Sequence, residues 1–140
     1  TKKVLELNEF FSFIEKYMRN AYADNHWEER FEFSFPDVVK KTLYLKIGDI
    51  KVLLRNLAIN IRESGSKRVS IFGKINKENR LIVAFKCFNH VSDAGNTKLG
   101  IGTKSSKLIM KKNNGEYSMI IEKEEVIVTL ELSCFFKNSK

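Results

Sequence analysis

The stretch LGIGTKSSKLIMKKNNG, residues 99–115, sets two glycines one residue apart before a helical-looking run that ends in two asparagines and a third glycine. Gly100 and Gly102 can adopt positive φ and bring bare backbone close to a ligand, and Thr103 can cap the first turn of the helix that follows. Ser105, Leu108, Ile109 and Lys112 recur at spacings of three and four. That periodicity points Leu108 and Ile109 to one side and Lys104, Lys107 and Lys111 elsewhere. Asn113, Asn114 and Gly115 supply a left-handed stop. A helix start with free N–H groups, flanked by Lys98 and Lys104, is suited to an anion such as phosphate. Taken alone, the same residues also read as an ordinary loop-to-helix junction.

The bulk composition narrows the context. At 140 residues, 43% hydrophobic and 30% charged, the chain reads as one domain, 1–140, with enough apolar side chains for a core. No apolar run approaches the roughly 18 residues of a membrane span. The opening Thr-Lys-Lys resembles neither a signal peptide nor an initiator, so a piece of a longer protein is expected. Cys87 and Cys134 both fall in apolar alternating stretches, which favours two reduced core thiols over a disulfide or a metal site. The net charge of +8 is spread along the whole length without a dense tract. Solvated lysine faces with an acidic ligand such as a nucleotide explain it, and no strand shows the aromatic-plus-basic pattern of a nucleic-acid surface. No nucleic-acid partner is expected.

Period-3.6 and period-2 patterns alternate along the chain. Leu5 and Leu7 end a short strand, and Asn8 is a candidate cap for a helix carrying Phe10, Phe11, Ile14, Tyr17, Met18 and Ala21 on its apolar side. The polar break YADNHWEE holds His26 in a turn without a helical hairpin around it, and Trp27 as a core or loop anchor. In FEFSF, Phe31, Phe33 and Phe35 share one face of a strand closed by Pro36, and TLYLK is another short strand. Gly48 and Asp49 open a second helix whose buried stripe is Ile50, Leu53, Leu54, Leu57 and Ile61. Two hairpins follow: Val69, Ile71, Gly73 and Ile75 with Leu81, Val83, Phe85 and Cys87 across NKEN, and Tyr117, Met119 and Ile121 with Val126 to Leu132 across EKEE. The fold class expected is α+β, a two-layer sandwich. Its mixed, mostly antiparallel sheet has about five strands, covered on one face by about three helices.

The second helix contains RNLAINIRES, in which Asn56 and Asn60 lie one turn apart on one face, with Glu63 and Ser64 continuing that side. Asparagine is a mediocre helix former, so two at this spacing inside an apolar run call for a reason. Taken with residues 99–133, this box resembles the nucleotide-binding domain shared by gyrase, heat-shock chaperones of the ninety-kilodalton class, histidine kinases and mismatch-repair ATPases. The resemblance spans nearly the whole chain and is closest to the ATP-binding catalytic domain of bacterial sensor histidine kinases. Within those it is similar to the quorum-sensing subgroup with a short lid and a glutamate after the box, here Glu63.

The resemblance implies a set of roles. The Asn60 side-chain oxygen holds Mg²⁺, a cation that prefers hard oxygen ligands and keeps several waters, and Asn56 sits beside it. Gly100 and Gly102 let backbone N–H groups approach the phosphates of ATP, Thr103 and Lys104 begin the helix whose positive end faces them, and Lys98 adds charge from the lid. In the hydrolysing branches the position of Asn56 is a glutamate that activates water, and an amide cannot act as that base. Phosphoryl transfer to a histidine on a separate dimerisation domain is therefore expected over hydrolysis. A downstream response regulator, a cytoplasmic location, membrane contact only through the full-length protein, and a monomeric isolated domain complete what the resemblance implies.

The sequence departs from the family pattern at the adenine-reading aspartate. Either Asn89 takes its place, as strand alternation from Val83, Phe85 and Cys87 favours, or Asp93, followed by Gly95, does so from a longer loop. His90 falls at the site rim or the surface. Ile61 stands where a small alanine is usual and would crowd the adenine pocket. These departures keep two alternatives open: a degenerate nucleotide-binding or helix-docking signalling module without kinase activity, and a serine kinase of the same fold that antagonises a transcription factor.

Overall fold

The structure, a computed structural model, describes residues 1–21, 30–38, 40–64, 66, 68–88, 98–122 and 125–137. In chain order its elements are β1 (Lys3–Glu6), α1 (Leu7–Ala21), β2 (Phe31–Ser34), β3 (Lys41–Leu45), α2 (Ile47–Ser64), β4 (Arg68–Ile75), β5 (Arg80–Phe88), α3 (Lys98–Lys112), β6 (Gly115–Glu122), β7 (Glu125–Ser133) and β8 (Phe135–Phe136). A five-stranded sheet has the order β2-β4-β5-β7-β6, and a smaller one the order β1-β3-β8. The expected α+β fold class holds, with the small sheet as an addition to it.

Strict alternation builds the large sheet. Along β7 every second residue from Val126 to Leu132 is buried, and along β5 Leu81, Val83, Phe85 and Cys87 are. The register puts Val69 opposite Cys87 and Leu81 opposite Leu132, so these side chains share the inner face. Both anticipated hairpins form, each antiparallel. The Phe31 strand pairs parallel to β4, which requires a crossover, here supplied by β3 and α2. Phe31 is buried, while Phe33 and Phe35 are half-buried on the same side, and Phe35 stacks on Phe11 with centroids 4.6 Å apart.

The helices bury the stripes their periodicity anticipates: Phe10, Phe11, Ile14 and Met18 on α1, and Ile50, Leu53, Leu54, Leu57 and Ile61 on α2. Ile61 belongs to the continuous core. Three local expectations are corrected. Asn8 is inside α1 and caps nothing; its side chain accepts from Val38 N and donates to Asp37 Oδ1, tying α1 to the segment after β2. Leu108 is 61% exposed, and among the described side chains of α3 the buried ones are Ser106, Ile109 and Met110. Cys134 is half-buried while Cys87 is buried, and both thiols are free. Among the described residues no helix is long and apolar enough to cross a membrane.

One buried amide joins α2 to α3. Asn113, 2% exposed, follows the last residue of α3. Its Oδ1 accepts from Lys46 N at 2.9 Å, and its Nδ2 donates to the Ile109 carbonyl at 2.8 Å and to Asp49 Oδ2 at 3.4 Å. Asn114 then takes φ 57°, the left-handed stop, and β6 begins at Gly115. A Cβ at Gly115 would lie 2.8 Å from both Leu132 Cδ2 and Met110 Cε and press on the Glu131 carbonyl oxygen.

Two outcomes follow in denaturant and pH titrations. Asn113→Ala strands the Lys46 N–H and the Asp49 carboxylate, and Gly115→Ala overpacks the α3–β6 corner; each is expected to lower unfolding free energy by about 1–3 kcal/mol. Burial pushes the Cys87 thiol up to about 11 from an ordinary 9.0, against a smaller downward pull from the Ser66 side chain. The unfolded chain therefore loses this proton first. The contribution is intact below the unfolded value and is lost as pH rises through the folded one. Stability is expected to fall by up to about 3 kcal/mol more in the parent chain than in Cys87→Ala between those limits, measured by urea unfolding.

Candidate functional site

Asp49, Asn56 and Asn60 are separated by seven and four residues on α2, and at 3.6 residues per turn they fall within about 40° of one another. This face borders the buried stripe, and all three side chains are half-buried. Asp49 is committed to the Asn113 contact. Among the described residues, the side-chain amides of Asn56 and Asn60 make no hydrogen bond. Two adjacent amides at the edge of the core, each offering a carbonyl oxygen and two N–H donors, are available to a ligand.

On α3 the same spacing recurs in reverse. Asn113, Ser106 and Gly102 are separated by seven and four residues, so these positions also share one face. Because the Asn113 contact joins the start of α2 to the end of α3, the chain directions away from it are opposed, and the helices pack against each other. Counted from that contact, positions 56 and 106 are each ~10 Å along their helices and positions 60 and 102 each ~16 Å, at 1.5 Å per residue. Ser106 is 1% exposed.

The helix begins earlier than expected. Lys98, Gly100, Gly102, Thr103 and Lys104 all lie within the opening turns of α3, which starts at Lys98. Thr103 is therefore no cap, and Gly102 is a helical residue in place of a loop residue. The N–H groups left without intrahelical acceptors are those of Lys98, Leu99 and Gly100. No acidic residue occurs in the first turn, Lys104 is exposed, and glycine at two of the first five positions leaves bare backbone on the helix surface. A positive helix end with these features favours an anion.

Asn89, Asp93 and Gly95 lie outside the described residues, as do His26, Trp27 and His90. The buried positions of β5 end with Cys87, two residues before Asn89. Glu63 is exposed at the end of α2. Sequence reasoning missed Ser106 and treated Asn113 only as a stop. The matching seven-and-four spacing on the two helices was the signal that could have found both. An open hollow of about 590 Å³, lined by Asn8, Phe11, Ser12, Glu15, Lys16, Arg19 and Phe35 among others, lies along α1 and includes none of these residues.

No protein-family model matches the chain, and no curated protein matches it. Solved structures do. The chain is similar to the Acinetobacter baumannii histidine kinase AdeS, with a TM-score of 0.70 at 14% identity over 95% of this chain and 67% of that one. It is similar to the catalytic domain of histidine kinase ThkA in a nucleotide-free form, with a TM-score of 0.68 at 15% identity over 95% and 97%. It also matches the ATP binding domain of PrrB from Mycobacterium tuberculosis, with a TM-score of 0.64 at 9% identity over 91% and 93%. These likenesses lead to one conclusion: the chain has the fold of the catalytic domains of histidine kinases.

Proposed function

We propose that the chain is the Mg-ATP-binding catalytic domain of a two-component sensor histidine kinase, handing the γ-phosphate of ATP to a histidine on a separate dimerisation domain. The observation that carries this reading is the pair of amides, Asn56 and Asn60, without a hydrogen-bond partner among the described residues, on the α2 face that turns toward α3; Asn60 lies ~16 Å from the Asn113 contact, toward the same end as the opening N–H groups of α3 at roughly 20–22 Å. The donor set fits the group. A neutral amide oxygen at Asn60 is a hard ligand suited to Mg²⁺ when phosphates and waters complete the shell. When bound, Mg-ATP supplies the transferable phosphoryl group and the neutralising cation.

The chain's own residues then have separable roles. Asn60 would hold the cation, and the N–H groups of Lys98, Leu99 and Gly100 would orient the phosphates. The glycines at 100 and 102 keep side chains out of that approach. Lys98 and Lys104 add positive charge. Asn56 holds a donor and an acceptor beside the phosphates but carries no basic group at neutral pH, which leaves water without an activating base and favours transfer to an incoming imidazole. Adenine recognition falls to Asn89 or Asp93. The partners are the dimerisation helices that carry the phosphoacceptor and, after them, a response regulator. The domain acts at the cytoplasmic side of its full-length protein and is monomeric alone.

Isothermal titration of the chain with a non-hydrolysable ATP analogue is expected to show binding that strengthens with Mg²⁺. Asn60→Ala should remove the Mg²⁺ dependence and weaken affinity roughly ten- to hundredfold, the scale of a lost bond to a charged group. Equal, Mg²⁺-dependent binding by parent and variant would refute the assignment.

A further inference from the structure

Ser106 has no place in the roles above, and its surroundings are unusual for a hydroxyl. It is 1% exposed on the inner face of α3, among Ile109, Met110 and Asn113. Asn113 satisfies its amide through three bonds. Ser106 makes no hydrogen bond among the described residues. A serine hydroxyl on a helix often returns to the carbonyl four residues back; here that bond is not formed. A buried hydroxyl without a partner is destabilising relative to alanine, whose methyl fills nearly the same volume. A serine that only packed the core would therefore be a poor choice.

Counting from the Asp49–Asn113 contact supplies the partner. Position 106 is seven residues before Asn113 and position 56 seven after Asp49, on faces that each helix turns toward the other at that contact. Asn56 is the second side chain of this junction without a hydrogen bond. We propose that Ser106 is a positioning residue for Asn56: its hydroxyl donates to Asn56 Oδ1, directly or through one water, and so fixes which end of the amide faces the site. An amide held in this way presents Nδ2, a donor, outward. The unheld amide can flip and present an acceptor, which repels phosphate oxygens. Hydrogen bonds of this kind are commonly open in ligand-free proteins and close when the site fills.

The orienting role rests on the nucleotide-binding reading, but its test separates the two. The Asn56 side-chain NH₂ pair is assigned in ¹⁵N spectra of the whole chain by its loss in Asn56→Asp, and is then followed in Ser106→Ala with and without Mg²⁺ and the ATP analogue. Ser106→Ala is expected to leave thermal stability equal or higher, to move the Asn56 signal, and to weaken analogue binding roughly three- to tenfold. In an Asn56→Ala background the same substitution should leave binding unchanged. An unmoved Asn56 signal, or an equal loss of affinity in both backgrounds, would overturn the positioning role. If the parent chain binds no nucleotide, the proposed function fails and the positioning role with it; if the parent binds and the Asn56 signal of the analogue-bound protein is unmoved by Ser106→Ala, the positioning role alone is refuted.

Discussion

The arrangement of this chain depends on what one buried amide does. Asn113 meets a backbone donor at Lys46, a backbone acceptor at Ile109 and the carboxylate of Asp49, three groups that would otherwise be left at a helix start, a helix end and the seam between them. A helix leaves its terminal backbone groups unpaired. At this junction the first turn of α2 and the last turn of α3 solve that problem for each other. The consequence is directional: with these two ends joined, the opposite ends of both helices are the ones left for a ligand. Hydrophobic burial would hold α2 and α3 on the sheet without Asn113, but it is non-directional and would not set how far one helix slides along the other.

From that junction the chemistry follows by counting. The α2 helix that carries Asp49, Asn56 and Asn60 packs against a helix whose first turn has no acidic side chain and whose first three N–H groups have no intrahelical acceptor. Polar groups at the core edge ordinarily find partners, and the two amides do not do so within the described protein. Their chemistry is that of groups that coordinate and orient. A cation, a phosphate chain and an incoming nucleophile need only to be placed and neutralised, and a glutamate at position 56 would have suited water activation instead. On the proposed reading the excess of lysine along α3 would serve the same end, because it raises the local potential toward an anion without placing a carboxylate beside it.

Much of the fold was legible because its signals are periodic. Strict alternation in β5 and β7 marks buried strands, and aliphatic residues at three and four spacing mark α2. The asparagine box and the glycine pair were visible as residue types in an odd setting. What escaped has physical reasons. The start of α3 at Lys98 runs through two glycines, which local propensity assigns to a loop, and the helix forms there against that preference. Leu108 carries an inward-looking residue type on an outward position, where single exposed aliphatics are ordinary. The strand β8 is two residues long and pairs with β3 across most of the chain, so no local pattern could reveal it. Ser106 looks like any polar residue in a lysine-rich helix until the Asn113 contact fixes which way its helix faces.

If the Asn60 amide and the opening N–H groups of α3 meet at one metal-bound triphosphate, a paramagnetic ion at that metal position will relax both. With Mn²⁺ in place of Mg²⁺ and a non-hydrolysable ATP analogue present, the Asn60 side-chain signal and the backbone amide signals of residues 98–102 should broaden together, while those around Asn113 remain sharp. Broadening confined to one of the two helices, or centred elsewhere on the chain, would contradict the account.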